Sequence, residues 1–108
     1  MTHLAITDHD TLAAWPEAQH ASPPLESAIR LVPGIEFSTR WETLGETIGI
    51  HVLGLNVDPG SAALAAGVRF QQEARLARAR CIGERLAKQG IADAFEGAAG
   101  LSPGGYIG

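Results

Sequence analysis

Basic residues are scarce in this chain: eight Lys and Arg stand against twelve Asp and Glu, a formal charge of -4. A surface of that sign does not attract nucleic acid broadly, and a DNA duplex is not an expected partner. Cysteine occurs once, at Cys81, so no internal disulfide can form and a reducing cytoplasm is the compartment that fits. No apolar run approaches the roughly 20 residues that span a bilayer, and the N-terminus lacks the basic start and apolar stretch of a secretory signal. A membrane is not an expected partner either. The 108 residues, 45% hydrophobic and 19% charged, suit one globular domain or a part of one, with a small core.

What is present is concentrated. Directly behind the apolar run Leu4-Ala5-Ile6 stands Thr7-Asp8-His9-Asp10-Thr11, so a strand delivers two carboxylates and an imidazole into one turn. Further along, Gly34-Ile35-Glu36-Phe37-Ser38 and Ile50-His51-Val52-Leu53-Gly54 each place one ligand-type side chain inside an otherwise hydrophobic strand. His9, Glu36 and His51 are therefore candidate metal ligands. A carboxylate such as Glu36 within an apolar strand has to be paired, exposed at an edge or bound to a cation.

The elements follow from punctuation and period. A short strand is expected over 3–7, an irregular turn over 11–15 with Asp10 or Thr11 as a cap, and a helix over 16–21, because Pro16 is tolerated only in a first turn. Ser22-Pro23-Pro24 ends it. Residues 29–32 lead through Pro33-Gly34 into a strand over 35–40, and a second strand covers 48–56, with the turn around Gly45. Ser61 caps a helix over 64–89 that Gly90 stops, and a short helix over 93–99 precedes Ser102-Pro103-Gly104-Gly105. Period-two alternation puts Ile35 and Phe37 on one face and Glu36 and Ser38 on the other. If the turn is centred between Thr43 and Leu44, Glu36 lies directly opposite His51, close enough to share an ion.

Plainer explanations stand beside these. A histidine in an apolar strand can be a hydrogen-bonded core or edge residue, and Asp8 and Asp10 can be turn and cap residues. Val68, Leu76, Ile82 and Leu86 supply an inward stripe on the long helix. Six of the eight basic residues, Arg69, Arg75, Arg78, Arg80, Arg85 and Lys88, crowd onto the same helix. They form either a solvated face, with Glu73 and Glu84 as intrahelical partners, or a wall that steers phosphorylated substrates, with Arg75 and Arg78 as the candidate contacts. His3 and His20 are assigned no role.

Taken together and in this order, Thr7-Asp8-His9-Asp10-Thr11, Pro33-Gly34-Ile35-Glu36-Phe37-Ser38-Thr39 and Ile50-His51-Val52-Leu53-Gly54 resemble a PHP (polymerase and histidinol phosphatase) domain. Within that family the chain is most similar to the bacterial metal-dependent phosphoesterases that act on nucleoside 3',5'-bisphosphates and on the 5' ends of short RNAs. The resemblance implies an α/β fold, a distorted (β/α)7 barrel that binds two or three divalent ions. It implies that His9 and His51 each ligate an ion and that Glu36 bridges two, while Asp8 and Asp10 orient His9 and its neighbours. Manganese is the expected metal, with zinc and iron as alternatives. Such ions acidify a water and hold the phosphate oxygens. The family's opening His-X-His pair and its closing His and Asp-X-His have no counterpart here. Residues 1–108 are thus expected to be the middle of a PHP domain, without its first strand and C-terminal part, with 61–108 mainly helical. A single-metal module built on the three ligands and a non-catalytic piece that docks through uncovered strand edges are the other two readings.

Overall fold

The computed structural model of the chain describes residues 2–21 and 29–102; Ser22-Pro23-Pro24 and Pro103-Gly104-Gly105 lie outside them. The fold is mixed α/β, with strands β1 (His3–Ile6), β2 (Arg30–Thr43) and β3 (Glu46–Leu55) in one sheet and helices α1 (Ala14–Ala21), α2 (Ala62–Lys88) and α3 (Ala94–Leu101). The chain divides into two compact units, residues 1–68 and 69–108. Among the described residues no helix is long and apolar enough to cross a membrane.

In the first unit β2 is the central strand. It pairs in parallel with β1, from His3 opposite Arg30 to Ile6 opposite Pro33, and antiparallel with β3, from Gly34 opposite Leu55 to Thr43 opposite Glu46. Pro33-Gly34 therefore lies inside a 14-residue strand and does not precede it, as the sequence suggested. Gly34 makes that possible. A Cβ there would sit 2.8 Å from Thr7 Cγ2 and 3.0 Å from both Ala5 Cβ and the Ile6 carbonyl oxygen, so only glycine lets β1 lie this close. Gly34→Ala is expected to cost about 1–3 kcal/mol through overpacking; urea unfolding of the variant reads it directly, and an unchanged midpoint would contradict the close approach. Next to it Ile35, 1% exposed, is the buried hydrophobic residue among those described.

The hairpin turns at Leu44-Gly45, one residue later than expected, with φ of 30° and 95°. Two-residue turns with both φ positive match the twist of paired strands, and glycine adopts them readily. The later turn shifts the pairing by two residues. Ser38, and not Glu36, lies directly opposite His51, while Glu36 faces Leu53. Because the side-chain period is two, the shift leaves Glu36 and His51 on the same face as diagonal neighbours.

Helix α1 begins two residues before Pro16, which sits in its first turn as its ring requires. Neither Asp10 nor Thr11 caps it. Instead the Thr11 hydroxyl accepts from the Ala13 N–H at 3.1 Å, within the turn before the helix. Ser61 does cap α2, its Oγ accepting from the Leu64 N–H at 3.3 Å. At the other end Gly90 takes φ 89°, and the Ile91 N–H returns to the Leu86 carbonyl at 3.0 Å, closing the helix in the left-handed manner.

In the second unit α3 packs on the later turns of α2. Gly83 is the point of closest approach, since a Cβ there would meet Phe95 Cβ at 2.9 Å. The Arg80 guanidinium lies 5.5 Å from the centre of the Phe95 ring, a cation–π distance. Of the expected stripe in this unit, Leu76 and Leu86 are half-buried and Ile82 is exposed. A groove of about 380 Å³ runs between the helices, lined in part by Arg75, Arg78, Ile82, Leu86 and Phe95. Arg75 is half-buried and Arg78 exposed. Glu73 and Glu84 are exposed on α2.

Candidate metal centre

Three separate stretches of the first unit bring His9, Glu36 and His51 together, and one ligand-type atom from each lies within 4.8 Å of the others. β2 supplies Glu36 and β3 supplies His51 across the antiparallel ladder. His9 arrives from the turn after β1, where it forms an isolated parallel bridge with Glu36. That bridge is built from main chain on either side of it. The Glu36 N–H donates to the Asp8 carbonyl at 3.1 Å, and the Asp10 N–H donates to the Glu36 carbonyl at 2.8 Å.

The side chains then converge on one carboxylate oxygen. His51 Nδ1 lies 2.6 Å from Glu36 Oε1 and His9 Nδ1 lies 3.7 Å from it. The short contact is a hydrogen bond that His51 Nδ1–H donates. The two imidazole rings meet edge to face, 4.9 Å between centres at 84°. Glu36 is 20% exposed and both histidines are open to solvent, so an ion has a way in. Imidazole and carboxylate ligands hold zinc-type ions at about 2.0–2.2 Å, which sets ligand atoms about 3.4 Å apart around a tetrahedral centre. The separations of 2.6 and 3.7 Å from Glu36 Oε1 bracket that spacing, and the nitrogen and oxygen donors suit manganese, zinc or iron. The residues fit a divalent ion.

Binding there must compete with protons for the ring nitrogens. The affinity is expected to fall as the solution is acidified, and binding is expected to release protons. Calorimetry in buffers of different ionisation enthalpy would measure that release, and binding insensitive to pH would argue against imidazole ligation.

Asp8 is exposed and meets the site through its main-chain carbonyl. Asp10 is fully buried, and its Oδ1 accepts from the Ser38 N–H at 2.8 Å. The sequence places Ser38 on the face of Glu36 but assigns it no role. Its hydroxyl stands 3.5 Å from His9 Nδ1, and alternation along β2, which sets it on the face of Glu36, was the signal that could have found it. His3 and His20 have local partners, Thr2 Oγ1 at 3.1 Å and the Pro16 carbonyl at 2.6 Å. Arg75 and Arg78 belong to the second unit.

No family model matches the chain. Individual proteins do. The 5'-3' exoribonuclease Rnm of Salmonella typhimurium is 45% identical over 104 residues, 96% of this chain and 34% of that protein. The 3',5'-nucleoside bisphosphate phosphatase of Chromobacterium violaceum is 41% identical over 95 residues, 88% of this chain and 31% of its own length. A solved structure of an amidohydrolase from Chromobacterium violaceum, with bound sulfate and no metal, superposes with a TM-score of 0.72 at 39% identity over 90% of this chain and 32% of that one. In sequence and in fold the chain is similar to PHP-like phosphoesterases, and the relatives bear the names of hydrolases. It spans about a third of their length.

Proposed function

We propose that this chain is part of the catalytic domain of a metal-dependent phosphoesterase that releases phosphate or a nucleotide from nucleoside 3',5'-bisphosphates or from the 5' ends of short RNAs. The carrying observation is the convergence of His9, Glu36 and His51 within 4.8 Å, in a chain 41–45% identical to proteins named for those two activities. In this reading the whole domain is a distorted (β/α)7 PHP barrel of the cytoplasm holding two or three ions, manganese first, and residues 1–108 are a part of it. Bound ions supply activation of water and neutralisation of phosphate charge. The chain's own residues do the rest. His9 and His51 offer neutral imidazole nitrogens, Glu36 offers a carboxylate able to bridge, and Asp8 and Asp10 hold the turn that presents His9.

Arg75 and Arg78 are assigned to phosphorylated substrate on their charge alone. Replacing both with Ala is expected to weaken nucleotide affinity and flatten its salt dependence, read by titration at two ionic strengths; unchanged affinity and slope would remove them from the site.

The test is manganese-dependent phosphate release from a nucleoside 3',5'-bisphosphate, measured on this chain and on a version extended to the length of its relatives. Activity in the extended protein that is lost on His9→Ala or Glu36→Ala supports the reading. A well-folded extended protein that binds no metal and releases no phosphate overturns it. One observation favours a second reading: three ligands are a sufficient set for one zinc ion, and one equivalent of tightly bound zinc without hydrolysis would make the chain a metal-binding module.

A further inference from the structure

We propose that Asp10 is the residue that positions His9, by lending its carboxylate to the β-ladder where the main chain stops supplying an acceptor. The inference rests on the reading of His9 as a metal ligand. In a parallel ladder one residue exchanges bonds with the residues before and after its opposite number. Glu36 does so, donating to the Asp8 carbonyl at 3.1 Å and accepting from the Asp10 N–H at 2.8 Å. The next rung would join the Ser38 N–H to the Asp10 carbonyl. There the strand breaks, because Asp10 turns into the left-handed region at φ 56°. The rung is made all the same: the Ser38 N–H donates to Asp10 Oδ1 at 2.8 Å.

Asp10 therefore grips β2 twice, its N–H on the Glu36 carbonyl and its side chain on the Ser38 N–H, on either side of Phe37. His9, the residue before it, is held against Glu36 by that grip and by the Asp8 carbonyl. Asp10 is 0% exposed, so its carboxylate is committed to partners inside the protein, and deleting it removes this bond from the half-buried Ser38 N–H. The residue type is dictated twice over. Aspartate and asparagine are the non-glycine residues that tolerate a left-handed turn best, and their side chain is short enough to stand where a carbonyl would.

The experiment compares Asp10→Asn, which keeps an acceptor oxygen and the turn, with Asp10→Gly, which keeps the turn and deletes the acceptor. Two quantities are read: hydrogen exchange of the Ser38 amide in the metal-free chain, and manganese affinity by calorimetry. Asp10→Gly is expected to lose Ser38 protection and to weaken manganese binding about 10–100-fold, the scale for removing a partner that orients a ligand. Asp10→Asn is expected to restore both. That rescue separates positioning from a loss of stability alone. Equal losses in the two variants would show that the charge matters and not the acceptor, and would overturn the proposal. If the unsubstituted chain takes up manganese and Asp10→Gly takes it up as well, the positioning role falls and the ligand reading stands. If the unsubstituted chain takes up none, the ligand reading falls and the positioning role falls with it.

Discussion

Glu36→Gln is expected to weaken divalent-metal binding by this chain more than about 100-fold, beyond the 10–100-fold that removing an outer partner costs. Glu36 Oε1 is the atom on which both imidazoles converge, at 2.6 Å and 3.7 Å. An amide of the same shape keeps the reach but offers a neutral oxygen, a far weaker donor to a hard or borderline cation. The fold is not at risk. The two ladder bonds of Glu36 are main-chain bonds to Asp8 and Asp10, which the substitution does not touch. The side-chain pair with His51 is partly exposed, worth no more than about 1 kcal/mol after solvent screening. Metal titration alongside thermal unfolding separates the two effects. Unchanged affinity in a folded variant would remove Glu36 from the site.

The second large effect concerns catalysis in a protein extended to the length of the relatives. His9→Ala and His51→Ala are each expected to lower phosphate release at least about 10³-fold, and the double substitution to lower it little further, since members of one catalytic set act as a unit. The structural reason is the shared oxygen. Both histidines reach Glu36 and stack edge to face, so removing either opens the same cluster. A double variant whose loss is the product of the two single losses would mean that the histidines act independently, and would separate them into different sites.

The sequence already marks the three side chains that the structure brings together. A carboxylate between Ile35 and Phe37 and an imidazole between Ile50 and Val52 are conspicuous because apolar strands carry such groups only for a reason. The parity of the strand decides their face whatever the register. The register itself was not legible, because it depends on which residues adopt positive φ at the turn, and a leucine such as Leu44 rarely does. The sequence offers Asp10 both as a cap and as a residue that orients His9, and only the cap is a local relation that spacing can show. Ser38, whose N–H donates to the Asp10 side chain, is 28 residues away and becomes visible only when β1 and β2 lie side by side. The same holds for Arg80, counted among the cluster of arginines on α2. Its place over Phe95 depends on how α3 packs, which the pattern of charges does not reveal. Pro33-Gly34 misled for a different reason. The pair usually marks a turn, but here glycine serves the close approach of β1 within a continuous strand.

Titrating the chain with substoichiometric manganese and following its histidine ring signals by NMR tests the central claim most directly, because a paramagnetic ion broadens the nuclei nearest to it. The chain has four histidines, and two of them serve as internal controls. Loss of the His9 and His51 signals together, while those of His3 and His20 persist, is the result predicted by an ion held between His9, Glu36 and His51. Broadening of His3 or His20 first, or of His9 without His51, would contradict it.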